Sequence, residues 1–121
     1  MFVRLNASAR SVAGSAGYGI RVGVAIPLVS PRPDGLPDTA ESTQLAAIED
    51  ALIDASNAHA MLVAVITTSG MREFVFYTGT GDWIPAFHEQ MMRSTPSHKV
   101  QCIAKHDPGW SVYFYLGGQP T

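Results

Sequence analysis

Apolar and small or polar positions first alternate clearly from Tyr18 to Leu28. Ile20, Val22, Val24 and Ile26 fall on one face, and Arg21, Gly23 and Ala25 on the other. This predicts a strand with one bulky face and one nearly bare face. Pro27 limits its far end, and Ser30 to Pro37 reads as a turn-rich connector without regular structure. The period then changes to that of a helix. Leu45, Ile48, Leu52 and Ala55 recur at helical spacing, Asp38 or Thr39 can cap the start, and Glu41 lies in the first turn, so a helix is expected over about residues 39 to 57, ending near Asn57 and His59. Its other face carries Gln44, Glu49, Asp50 and Asp54 and reads as solvated.

The strongest local signal is Met61 to Thr78, two runs rich in β-branched and aromatic residues separated by Ser69-Gly70, a pair able to supply the positive φ of a tight hairpin. A two-residue turn sets Val65 opposite Phe74, Val63 opposite Phe76, Ala64 opposite Val75 and Leu62 opposite Tyr77. Gly79 to Gly81 breaks the second strand. Asp82 is a natural N-cap for a second helix that tolerates Pro85 in its first turn, has Ile84, Phe87, His88 and Met91 on its apolar side and ends around Ser94 to Pro96. Lys99 to His106 alternates as a last strand with Val100, Cys102 and Ala104 on one face. Asp107-Pro108-Gly109 turns the chain, and Trp110 to Leu116 forms an aromatic tail that should pack on the domain or on a second subunit.

The resulting order β-α-β-β-α-β is the ferredoxin-like arrangement, an α+β fold with one antiparallel sheet and both helices on one face. Strands one and three of that order are expected to be central. Ile20, Val22, Val24, Val63, Val65, Phe74, Phe76, Val100 and Cys102 should meet the helices. Arg21, Gly23, Ala25, Leu62, Ala64, Ile66, Glu73, Val75, Tyr77, Gln101, Ile103 and Lys105 should form an open face apolar enough to want a cover. Residues 1–17 read as a flexible lead-in or short extra strand, with Phe2 to Leu5 extended and the small-residue tract Ala7 to Gly17 holding nothing large to bury; residues 18–121 form the single domain.

With 121 residues, 46% of them hydrophobic and 15% charged, the chain can bury one core, and its low charge points to surface covered by a partner. A homo-oligomer, a dimer, or another protein is the expected partner. A net charge of −2 with scattered Lys and Arg argues against nucleic acid. No run approaches the ~18 apolar residues of a membrane helix, and no secretory signal is evident, so no membrane partner is expected. The lone Cys102 excludes an intramolecular disulfide and fits a reducing cytoplasm.

Candidate chemistry is sparse. Glu73 and Arg21 should share the open face as a tuned acid or anion clamp, or as a cross-strand ion pair. His88, His98 and His106 have no metal-ligand spacing, and Cys102 lies on the inferred core face, so neither a metal nor a catalytic thiol is expected. Gly14-x-x-Gly17-x-Gly19 precedes a strand instead of following one, which is the wrong context for a dinucleotide loop. An RNA-recognition comparison fails because Phe74 and Phe76 align with the core set while strand one offers only Gly23 and Ala25 for stacking. No catalytic residue and no cofactor are assigned. The face expected to meet a partner or ligand comprises Arg21, Gly23, Ala25, Ala64, Ile66, Glu73, Val75, Tyr77, Ile103 and Trp110. An enzyme or small-ligand binder with a pocket between the bare patch and the aromatic tail is the alternative.

Three stretches also resemble a known family. They are Arg21 to Leu28, the run Leu62 to Tyr77 with its Gly-Met-Arg-Glu-Phe-Val-Phe-Tyr string, and Trp83 at the opening of the second helix, followed by the Asp-Pro-x-Trp turn. Over about residues 18 to 115 the chain resembles bacterial members of domain-of-unknown-function family 695. The resemblance implies a small ferredoxin-like domain and implies no activity. Such domains also look like the ribonuclease E inhibitor known as regulator of activity B, which implies a regulatory binding role by analogy.

Overall fold

The computed structural model describes residues 2–56 and 59–117. Eight elements follow one another: β1 (Phe2–Leu5), β2 (Ile20–Pro27), α1 (Thr39–Ser56), β3 (Ala60–Thr68), β4 (Met71–Thr78), α2 (Ile84–Ser94), β5 (Gln101–His106) and a short α3 (Ser111–Tyr115). Two 3-10 turns, Ala7–Val12 and Ala16–Tyr18, lie between β1 and β2. All strands join one five-stranded antiparallel sheet in the order β1-β3-β4-β2-β5.

The hairpin turn has Ser69 at φ 50° and Gly70 at φ 80°. Both central residues are therefore left-handed, as a two-residue turn needs to match strand twist. This sets Thr68 opposite Met71, Val65 opposite Phe74 and Ala64 opposite Val75. Farther from the turn the expected register fails. A bulge between Leu62 and Ala64 places Leu62 opposite Phe76 and Met61 opposite Tyr77. One extra residue reverses the alternation, so Val63 turns to the face that Ala64 already occupies, and Leu62 packs among the residues under the helices.

α1 starts where Asp38 Oδ1 accepts the backbone N–H of Glu41 at 2.7 Å. It runs to Ser56, and the expected end at Asn57 lies outside the described residues. α2 has no side-chain cap; Trp83 precedes it, in place of the anticipated Asp82 cap, and Pro85 sits in its first turn. Leu45, Leu52, Phe87 and Met91 from the two helices pack on Val22, Val24, Phe74 and Phe76, so both helices cover the same sheet face.

A second core lies on the opposite face. Ala9, Val63, Ala64, Val75, Tyr77, Trp110 and Tyr113 are buried together there. Its cover comes from the two ends of the described chain. After pairing with β3, the chain turns at Asn6, whose side chain accepts from Ser8 N–H at 3.2 Å, and the following 3-10 turn lays Ala9 flat on the sheet with no exposed surface. The small residues among Ala7 to Val12 allow this close approach, and Ala9 covers part of the sheet. From the other end, α3 brings in Tyr113, whose hydroxyl donates to the Asn6 carbonyl at 2.9 Å.

Candidate functional site

The sheet register places the candidate residues in three rows across the second face. Ile66, Glu73, Ala25 and Gln101 form one row. Ala64, Val75, Gly23 and Ile103 form the next, and Met61, Tyr77, Arg21 and Lys105 the third. The rows match the sequence expectation for every strand except β3 beyond its bulge. The cover divides them unequally. Ala64, Val75, Tyr77 and Trp110 are between 0% and 2% exposed, and Ile66 packs beside them, whereas Ile103 is 59% exposed.

On the covered side, Trp110 lies flat on Tyr77 with ring centroids 4.2 Å apart and donates its indole N–H to the Tyr18 carbonyl at 2.8 Å. The ring thus covers Tyr77, one of the candidate residues. Tyr113 meets Trp110 edge-on at 5.3 Å. Trp110 adopts φ 55°, an unusual backbone for a bulky residue, which its surrounding contacts hold in place.

Asp107, which the sequence marked only as a turn residue, organises the polar edge of this cluster. Its carboxylate accepts from the Tyr77 hydroxyl at 2.6 Å, the Ser111 backbone N–H at 2.9 Å and the Ser111 hydroxyl at 2.8 Å. Arg21 lies 3.6 Å away. Burial works to raise the Asp107 pKa, but hydrogen bonds from Tyr77, Ser111 and Val112 outweigh it and hold the value at about 2. The Tyr77 phenol is pushed up, first by burial and then by the Asp107 carboxylate. Asp107 thus anchors the start of α3 from three residues before its N-cap, Trp110, which makes no side-chain cap of its own.

The anticipated Arg21–Glu73 pairing is absent because Arg21 turns to Asp107. Glu73 instead folds over Gly23. A Cβ at that glycine would come 2.5 Å from Glu73 Oε2, and among the described residues the Glu73 carboxylate makes no ion pair. Arg72 donates to the Thr67 hydroxyl at 3.0 Å.

The histidines are dispersed. His88 Nε2 donates to the Val100 carbonyl at 2.7 Å, and His106 is exposed at the end of β5. His98 is buried, with Nε2 donating to Glu41 at 2.7 Å while the same carboxylate accepts from the backbone of Val29 and Ser30. Burial acts to raise the Glu41 pKa, but these hydrogen bonds lower it overall. The cluster ties α1 to the loop after β2 and to the turn before β5. Among the described residues no three His, Cys, Asp or Glu side chains are grouped to hold a metal. Cys102 is half-buried against the helix-side core, and burial pushes its thiol up to about 11, away from nucleophilic character. A hollow of 560 Å³ lies along the outer edge of β3, lined by Arg4, Glu49, Ile53, Leu62 and their neighbours; of the candidate residues it includes only Ala64.

These features define an α+β protein whose single antiparallel sheet is packed by helices on one face and covered in part on the other by the segments that hold Ala9, Trp110 and Tyr113. The chain belongs to the family of unknown function DUF695, whose sequence model matches residues 1–116. No curated protein and no solved structure matches it. Among the described residues no helix is long and apolar enough to cross a membrane.

Proposed function

We propose that the chain is a non-enzymatic protein-binding or regulatory module that homo-oligomerises through the part of the second sheet face its own ends leave free. Ile103 carries this reading. It extends the apolar row of Ala64, Val75 and Gly23 to an edge strand, yet remains 59% exposed. A lone exposed Ile is ordinary; one that continues a sheet row to an unpaired edge is placed for a partner.

We also infer that β2 to β5 form a ferredoxin-like unit to which β1 adds an edge. The order β3-β4-β2-β5, with α1 and α2 packed on one face, supports this. The single free thiol supports placement in a reducing bacterial cytoplasm.

The test is solution mass by light scattering across micromolar concentrations. Wild-type chain is expected to exceed the monomer mass, and Ile103→Asp to remain a folded monomer by circular dichroism. A wild-type chain that is strictly monomeric would count against self-association.

A further inference from the structure

The edge strand β5 has a definite backbone polarity. Asp107 N–H donates to the Gly19 carbonyl at 2.9 Å, and the register of Ile20 opposite His106 puts Asp107 directly opposite Gly19. In an antiparallel ladder, opposed residues that exchange hydrogen bonds alternate with residues that do not. The odd-numbered residues of β5 therefore bond inward to β2. Cys102, Ala104 and His106 turn their backbone N–H and C=O groups to the free edge. An added strand must pair with those positions.

Charge then selects the register for a second copy. Centring the pair on Cys102 would set Lys99 against Lys105 twice, a repulsive arrangement. Centring it on Ala104 would set Ile103 against Lys105. Centring it on Ile103 stacks the two exposed isoleucines, sets each Lys105 beside a Gln101 and brings each Lys99 opposite an Asp107. This arrangement also resolves the isolation of Glu73. Lys105 of the second copy would lie two strand spacings, roughly 10 Å, from β2. Glu73 already leans over β2 at Gly23, where no side chain intervenes, and Ala25 keeps β2 low beside it, so the Lys105 stem has only β5, alongside the Gln101 side chain, to cross. A lysine stem bridges the remaining gap.

We propose that a second copy of this chain docks by antiparallel pairing of β5 with its own counterpart on a two-fold axis at Ile103, with Lys105 of each copy reaching Glu73 of the other. The proposal rests on the protein-binding reading and specifies its partner and geometry. Two glycine- and alanine-floored strips become continuous across the axis, and the sheet becomes ten-stranded.

The first experiment is sedimentation equilibrium on Glu73→Lys, Lys105→Glu and the doubly exchanged chain. Each single variant is expected to weaken the dimer about tenfold, since two symmetry-related pairs are lost, and the double variant to recover most of that loss. The second is oxidative cross-linking in a Cys102→Ala background whose fold is checked by circular dichroism. Ile103→Cys should form a disulfide-linked dimer, because opposed residues outside the hydrogen-bonded pairs have their Cα atoms close enough for the bond. Gln101→Cys and Lys105→Cys should not. A wild-type dimer that fails to cross-link at residue 103, or a double variant that stays as weak as the singles, overturns this geometry and leaves self-association standing. A wild-type chain that stays monomeric overturns both and leaves the edge to a foreign strand.

Discussion

Within one row of the sheet, Val75 and Ile103 stand two strands apart in opposite circumstances. Val75 is 2% exposed beneath the terminal segments, and Ile103 is 59% exposed beyond them. Both are β-branched, and both point to the same face. Strand alternation therefore fixes the side of the sheet a residue occupies and says nothing about whether another segment crosses above it. Over β3 and β4, Trp110, Tyr113 and Ala9 make a second core; toward β5, the same face leaves Ile103 exposed.

The sharpest way to break this contrast is Val75→Asp. An unpaired carboxylate in the second core should cost about 4 kcal/mol or more and unfold the chain at ordinary temperature. Denaturant titration measures this directly, and a variant as stable as wild type would show that the terminal segments do not bury the site. Trp110→Ala should follow at about 3–4 kcal/mol, because it removes a fully buried ring and exposes Tyr77; Tyr77 fluorescence and the urea midpoint report it.

Acid should then loosen the covered half. The Asp107 pKa in the folded chain is about 2, below its ordinary 3.8, so its contribution is fully present above that ordinary value and is lost as pH falls from about 4 to 2. The loss amounts to about 2 kcal/mol. Glu41, also lowered, acts in the same direction on the helix side. The difference between the pH–stability curves of wild type and Asp107→Asn isolates the Asp107 part. Coincident slopes would refute it.

Smaller effects belong to the uncovered half. Gly23→Ala places a methyl group against the Glu73 carboxylate, the movable end of a side chain, and should change stability by about 1 kcal/mol or less. Ile103→Asp should change the stability of the monomer by no more than about 0.5 kcal/mol while reducing self-association. If it proved as damaging as Val75→Asp, the two positions would not differ in kind.

The parts legible in the sequence were those with a local cause. Ser69-Gly70 announced its turn through backbone preference, and the spacing of Leu45, Ile48 and Leu52 announced α1 and its buried stripe. The bulge at Val63 left no such mark, since Leu62, Val63, Ala64 and Val65 are all apolar and either phase buries a comparable surface. The role of Asp107 was hidden for a different reason. Tyr77 is 30 residues away in the chain, and no pattern in either stretch refers to the other. The burial of Ala9 was equally invisible, because a small side chain signals neither core nor surface.

The hydrogen bond from Tyr113 to Asn6 spans 107 residues. The helix-side core, whose buried members run from Val22 to Val100, draws on neither of those residues. The second core closes only when Trp110 and Tyr113 reach the segment around Ala9, so it depends on contacts between distant parts of the sequence that the helix-side core does not need. Until then the face holding Val63, Val75 and Tyr77 is uncovered, and a chain cut short before Trp110 would keep it so. Such a fragment would expose one apolar sheet surface beneath an otherwise formed helix layer, and quality-control proteases and chaperones would meet that surface first.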